Sequence, residues 1–558
     1  MRRTFSVCAP LLVLVACGLG CASTQPGSLA KQATSATTAS PSMAELEHAG
    51  APGAPLAWSD FSPATFARAK AEHKFIVMDG SAEWCHWCHV MEAVTYHDDA
   101  VRKLLDAHFI PVKVDVDSRP DIEERYSDYG WPATVIFSPN ADELGKYRGY
   151  IAPEDMIEIL NDVIATGANG GDKGPVRPAE PDDPILSDTP ITHAQIQAVQ
   201  DTTAKALEAF WDPKEGGWGK QPKVPISGDV AWAILRAQQG DARLKAHMTL
   251  MLSQEQKIID PIWGGIYQYS VAPDWDHPHF EKLIIFNAGA IDNYSAAFMF
   301  TKNEKYLATA KSIAQYEETF AMSPEGGFHG SQDADLNAHA VGKTFMDGHR
   351  YFALDDAHRR ALGIPRVDQH EYAKDTGLGV AGFATLYEAT HDAQVLAVAA
   401  RAANHIVETH GTIKGGVSHD AIADKTSEPH VLHLADNAAL GLGLMRLYEV
   451  TTDAQWLAMA QKIADYMLSD LFDAERGGFF EHNVDPDAVG VFSARRKPFD
   501  DNVAALRLFE KLELAKKDAR YEKAIDRTLR LLCVPKKIDD QGKFLGDFLL
   551  ALEAAKKS

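Results

Sequence analysis

Two cysteines three residues apart, Cys85 and Cys88 in FIVMDGSAEWCHWCHV, carry the strongest chemical signal in this chain. An apolar run of strand length, Phe75-Ile76-Val77-Met78, precedes them, and residues with helical spacing follow. That context predicts that Cys85 opens a helix, where free N–H groups and the helix dipole favour thiolate, the nucleophilic form. Cys88, one turn further, can close a disulfide with it. His86 and His89 flank the pair, and a nearby imidazolium would lower the Cys85 pKa further. A more stable thiolate stabilises the reduced form, so the pair is expected to be more oxidising than one with Gly-Pro between its cysteines. Other chemistries fit the same residues. Cys85-His86-Trp87-Cys88-His89 is formally the attachment motif of c-type haem. A zinc site would need two further ligands, for which His89 and His97 are at hand. A disulfide with only a structural role is the plainest reading. The expectation is thiol–disulfide chemistry with no cofactor and no metal.

The elements around the pair read as a small α/β unit. Residues 61–73 have helical spacing, Phe75 to Met78 a strand, and 86–107 helical spacing again. Strands are predicted at Phe109–Val116, Ala133–Phe137 and Tyr147–Ile151, with a closing helix from Pro153 to about Ala165. A Gly/Pro/Asp-rich stretch at about 167–190 marks a boundary. Beyond 191 the chain reads as almost entirely helical and repetitive. Glycine pairs, read as helix ends, recur at 216–217, 264–265, 326–327, 415–416 and 477–478, with a weaker echo at Gly542. Between them recur GDARLKAH, NEKYLATA, HDAQVLAVA, TDAQWLAMA and KDARYEKAI, each starting a helix behind a polar cap. Six helical hairpins with loops after the glycine pairs predict a closed (α/α)6 toroid, whose loops gather at one rim.

Counts narrow the classes. The chain has 558 residues, a formal charge of −23, 46 % apolar and 24 % charged residues, and six cysteines. The mix is globular. The negative charge, with no basic stripe, argues against nucleic acid as a partner. Arg2 and Arg3 followed by an apolar Val7–Leu19 read as a secretory signal, and Leu14-Val15-Ala16-Cys17 as a lipobox, with Cys21 the weaker alternative for lipidation. The expected divisions are a signal peptide over 1–21, a linker over 22–56, the α/β unit over 57–168, a linker over 169–190 and the toroid over 191–558. The expected location is the bacterial envelope, on the periplasmic face, with membrane contact only through the lipid anchor, or secretion without one. Cys533, in an apolar helical stretch, is expected to be a buried core thiol.

The phrase Val77, Asp79, Ala82, Glu83, Trp84, Cys85 and Cys88 resembles thioredoxin over about residues 58–165. The resemblance implies that Asp79 is the buried carboxylate exchanging a proton with Cys88, and that Lys113 is its neighbour. It implies a cis-proline at Pro132, opposite the disulfide. Trp131 departs from the smaller residue usual before that proline, which would narrow the substrate groove. Trp84, His86, His89, Lys113 and Trp131 are therefore expected to tune the redox pair.

The wording CHWCHVM with RPDIEERY downstream narrows the match. Further phrases are GKQPKVP from Gly219, GGIYQYSVAPDWDHPHFEK from Gly264, GGFHGSQDAD from Gly326 and LADNA from Leu434. Together they resemble the family of spermatogenesis-associated protein 20, which couples a thioredoxin-like domain to a toroid like that of sugar 2-epimerases and six-hairpin glycosidases. The resemblance places these phrases at the rim, where the two-residue offsets of His277, His279 and Glu281, and of Asp333 and Asp335, would turn each set to one side of an extended segment; with Asp436 they are the pocket candidates, and such carboxylates and histidines can do acid–base work on sugars. Trp218, Trp263, Tyr267 and Trp275 would stack on a sugar ring. Two departures weigh against shared catalysis: Gln332 stands for a Glu, and Asp375-Thr376-Gly377 for Trp-Asn-Gly. The leading expectation is an envelope thiol–disulfide oxidoreductase acting on a thiol- or disulfide-bearing protein, with the toroid positioning substrate. A carbohydrate-active or sugar-binding protein is the first alternative, and a non-enzymatic interaction protein the second.

Overall fold

The computed structural model describes residues 56–168, 183, 185–338, 340, 342–423 and 429–556. The expected signal peptide, most of both linkers and both lipidation candidates lie outside them. No helix among the described residues is long and apolar enough to cross a membrane.

In the first domain, β1 (Phe75–Ser81) is the central strand of a sheet ordered β2-β1-β3-β4. It runs parallel to β2 (Phe109–Asp115) and antiparallel to β3 (Ala133–Phe137), and β4 (Glu143–Arg148) closes the edge. Because successive strand residues face opposite sides, Ile76 and Met78 enter one apolar core while Val77 enters the other. The first core includes Phe66, from α1 (Pro63–Glu72). The second takes Met91 from α2 (His86–Val94), Leu105 from α3 (Asp99–His108), and Met156 and Leu160 from α5 (Pro153–Ala168). This is the thioredoxin-like layering that the residue pattern implied.

Three local expectations are corrected. The helix expected over 86–107 is two, because the chain breaks after α2 and Asp98 caps α3, accepting from the N–H groups of Ala100 and Val101. The last strand ends at Arg148, ahead of Gly149, whose φ of 66° suits glycine. A further helix, α4 (Pro120–Tyr126), starts on a proline at its first turn.

The second domain closes on itself. Six inner helices, Ser227–Gln238, Ile284–Thr301, Ala373–Thr390, Leu434–Thr451, Phe499–Ala515 and Gly546–Ala555, each pack on the next, and the last packs on the first. Five are followed directly by an outer helix, whose N-caps are Asp241, Asn303, Asp392, Asp453 and Asp518. The sixth pair joins the C-terminal helix to His193–Glu208, the first helix of the domain. The predicted (α/α)6 toroid is present. Its inner helices approach closely where Gly377 faces the backbone of Ala439 and Leu440, since a Cβ there would lie 2.5 Å from main-chain atoms.

The glycine pairs do not cap helices, as the repeat suggested. Each turns a short hairpin closed by one bridge, such as Ile259 with Ile266 or Phe472 with Phe479. The fourth residue of the following inner helix then accepts from the N–H after the pair. Asn287 does so for Ile266, Asn437 for Val417 and Asn502 for Phe479, at 2.7 to 2.9 Å. Thr376 takes this role for Phe328 at 3.3 Å. The departure at Thr376 therefore keeps the contact and changes only its chemistry.

Candidate active site

Cys85 and Cys88 form a disulfide at the start of α2, and both are buried. Cys85 is the N-cap, and its sulfur accepts from the Cys88 N–H at 3.1 Å. The register of the parallel strands sets Lys113 beside Asp79, and that of the antiparallel pair sets Thr134 opposite it. Asp79 is buried, and burial pushes its pKa up to about 7 against the pull of Lys113. Lys113 itself is paired with Glu92 at 2.6 Å. The Trp131–Pro132 bond is cis, and the Trp131 ring lies over Gly80, where a Cβ would come within 3.1 Å of it. Trp84 Nε1 donates to Asp117 at 2.7 Å.

What sequence reasoning missed is that this site and the toroid rim are one place. His86 Nδ1 lies 2.6 Å from Asp335 Oδ2, and the His86 N–H donates to Glu281 Oε1 at 3.3 Å. His89 lies 3.6 Å from Asp335 and 3.8 Å from Asp333. Glu281 also faces His279 at 3.4 Å, whose ring stacks on Tyr269. These rim residues lie on or beside two small sheets, β5 (Tyr269–Ser270) with β6 (Pro278–His279) and β7 (Lys282–Leu283) with β8 (Ser331–Gln332). Burial lowers the pKa of His86 and His89, but Asp335 outweighs it and holds both above the ordinary range. Burial pushes Asp333 up to about 8, while the two histidines hold Asp335 well below the usual carboxylate range. Burial acts on both aspartates, and at Asp335 the two histidines outweigh it.

This changes the tuning expected from the histidines alone. Their charge is balanced by Asp335, and one α2 N–H is spent on the Glu281 carboxylate, so less positive potential reaches Cys85. Of the remaining pocket candidates, His277 is not drawn in: it is exposed and pairs with Asp274 at 2.8 Å. Asp436 belongs to a second cluster. It is fully buried and pairs with His419 at 3.0 Å, and His419 Nε2 donates to the Asp117 carbonyl at 2.7 Å. Trp218, Trp263, Tyr267 and Trp275 are corrected from sugar platforms to core, because all four are buried. Gln332 is buried too and accepts from the Tyr316 hydroxyl at 3.0 Å. Cys533 is partly rather than fully buried, and burial still pushes its thiol up to about 12.

The two domains are held by more than these contacts. Lys374 pairs with Glu123, Arg496 with Glu124 and Arg366 with Glu83. Phe492, from a toroid loop, inserts among Phe61, Tyr126 and Phe137. Burying such a side chain contributes roughly 1.5–3 kcal/mol. A cavity of about 10 Å³ remains between Glu83, Trp84, Ser331, Asp333, Arg366 and Asp368. That is room for about one water. A protein disulfide reaches Cys85 only if the rim moves away.

Residues 38–165 match the Thioredox_DsbH family, described as "Protein of unknown function, DUF255", and residues 353–491 match Glycosyl Hydrolase Family 88. The chain is 24 % identical to the Caenorhabditis elegans protein B0495.5 over 90 % of its length and 74 % of that protein. It is 27 % identical to human spermatogenesis-associated protein 20 over half of its length, and the match spans 39 % of that protein. It is 31 % identical to thiol:disulfide interchange protein DsbD 1 of Pseudomonas aeruginosa over 20 % of its length and 21 % of that protein. Among solved structures, D-mannose isomerase aligns with a TM-score of 0.49 at 12 % identity, covering 66 % of this chain and 98 % of that one.

Proposed function

We propose that this relative of spermatogenesis-associated protein 20 is a thiol–disulfide oxidoreductase whose toroid rim governs access to the disulfide. The observation that carries the reading is the Cys85–Cys88 disulfide at the start of the helix that follows the strand bearing the buried Asp79. In the oxidising direction a substrate thiolate attacks the Cys85 sulfur and Cys88 leaves as a thiolate, which takes a proton from Asp79. A second substrate thiolate then attacks the substrate sulfur of the mixed disulfide and releases Cys85. The substrate is oxidised by two electrons and the pair reduced by two. In the reverse direction the Cys85 thiolate attacks a substrate disulfide, and Cys88, deprotonated by Asp79, resolves the mixed disulfide. The partial match to an interchange protein supports this chemistry.

The test is Cys88→Ser in the full chain. Trapped mixed disulfides through Cys85, absent from the double serine variant, are the expected result. An unmodified Cys85 after exposure to disulfide-bearing proteins would argue for a structural bond. The envelope location is part of the same proposal, and loss of membrane association in Cys17→Ala, or in Cys21→Ala, checks it.

A second reading is favoured by the glycosyl hydrolase match over residues 353–491. The His419–Asp436 pair, with Tyr372 stacked on His419, would then be the working part. It predicts sugar binding that survives Cys85→Ser and grows when the rim contacts to the first domain are removed.

A further inference from the structure

We propose that His89, Asp333 and Asp335 form a divalent transition-metal site shared by the two domains, with His86 and Glu281 at its margin. The reading is independent of whether the disulfide turns over. One donor atom from each of the three residues lies within 4.8 Å of the others. Both aspartates are almost wholly buried, at 1–2 % side-chain exposure, and His89 is at 11 %. Salt bridges alone bury carboxylates elsewhere in proteins, so burial is only the first observation.

The second is orientation. Each carboxylate gives one oxygen to a backbone N–H and turns the other inward. Asp333 Oδ1 accepts from the Asp335 N–H at 2.8 Å, and Asp335 Oδ1 from the Gly348 N–H at 2.9 Å. Glu281 Oε1 accepts from the His86 N–H, while Oε2 is buried and accepts no hydrogen bond. The atoms left facing the imidazoles are Asp333 Oδ2, Asp335 Oδ2 and Glu281 Oε2. His89 is oriented likewise. Its Nε2 lies 3.0 Å from the Glu83 carbonyl and donates to it, leaving Nδ1 toward Asp335 Oδ2 at 3.6 Å. A metal-bound histidine ordinarily donates its other ring N–H to a carbonyl or carboxylate. Held in this way, the donors are pre-aimed.

The donor chemistry selects the ion. Imidazole nitrogen with carboxylate oxygens suits zinc, manganese or ferrous iron rather than a soft ion. Tetrahedral zinc with bonds of about 2.0 Å holds its ligands about 3.3 Å apart, so donors spread over as much as 4.8 Å have to close by up to about 1.5 Å. The ion would sit between the two carboxylates and the imidazole of His89. Because His89 comes from α2 and the aspartates from the segment at β8, it would also pin the rim over the disulfide.

The test uses the full oxidised chain, loaded with an equimolar amount of zinc or manganese, desalted, and analysed for metal by mass spectrometry. About one ion per chain is expected, falling below about a tenth in Asp333→Asn/Asp335→Asn. A cobalt-loaded sample should show d–d absorption without thiolate charge transfer, which keeps the test valid if the double variant fails to fold. No retained metal in the native chain overturns the proposal. So does equal retention in the aspartate variant, or metal that disappears in Cys85→Ser/Cys88→Ser, since it would then be held by the thiolates.

Discussion

Two histidine–carboxylate clusters join the domains, and they differ in what they touch. At the first, His86 and His89 belong to the helix that carries the disulfide, and Glu281, Asp333 and Asp335 come from the toroid. At the second, His419 and Asp436 both belong to the toroid, and the first domain contributes the backbone carbonyl of Asp117. The second cluster can hold the domains together whatever residue stands at 117. The first cannot change without altering the surroundings of Cys85. The same chemical pair thus serves docking in one place and reactivity in the other.

Breaking the first cluster should have the largest effect. Asp335→Asn leaves the half-buried imidazoles of His86 and His89 without their main charge partner, and removing one member of a largely buried pair costs about 3 kcal/mol or more. A docked state weakened by about 3 kcal/mol opens roughly 100-fold more often. Reduction of Cys85–Cys88 by dithiothreitol, followed by alkylation, should accelerate accordingly. An unchanged rate would mean that the rim does not gate the disulfide.

Asp79 gives the next effect. Its folded pKa is raised, so the folded state holds a proton that the unfolded state gives up. Stability from this group falls as pH rises from about 3.8 to about 7 and levels off above. The loss is about 4 kcal/mol, from 1.36 kcal/mol per pKa unit. Unfolding in urea at pH 5 and pH 8 should show Asp79→Asn with a smaller pH difference than the native chain. The variant should also exchange disulfides more slowly near neutral pH, because Cys88 loses its proton partner.

The second cluster has the same sign in a higher pH window. Burial works against the His419 charge, but Asp436 raises its pKa to about 9. Its contribution is therefore complete below about pH 6.5 and lost as pH rises through 9, a change of about 3 kcal/mol. Asp436→Asn should remove that alkaline sensitivity from the melting temperature while altering the redox potential of Cys85–Cys88 far less than Asp335→Asn does. Equal shifts in potential would erase the distinction between the clusters. The smallest effect is expected at Cys533. Its raised thiol pKa predicts slow alkylation in the native chain, and Cys533→Ser should leave the potential unmoved.

The candidate residues of each domain were legible in the sequence, the cysteines because Cys-x-x-Cys after an apolar strand is a local pattern and the rim residues because the phrases PHFEK and SQDAD carry a family resemblance. Their union was not. His86 and Asp335 are 249 positions apart, and nothing in the spacing of either motif indicates that they meet. The helical repeat was readable from its polar N-caps and glycine pairs, since both are demanded by local backbone geometry. The role of the glycine pairs was misread because a hairpin turn and a helix C-cap both call for positive φ. His277 was over-read for a related reason: alternation alone predicts a shared face, yet Asp274, three residues earlier, captures its ring at the surface.

The central claim is that Cys85–Cys88 is a working redox centre. Its most direct test is a redox titration of the full chain across glutathione buffers, with thiol trapping and mass spectrometry at each point. A reversible two-electron transition between roughly −270 and −120 mV, the span of known exchangers, is the predicted result. A pair that stays oxidised, or stays reduced, across the whole series would contradict the account and leave the bond a structural one.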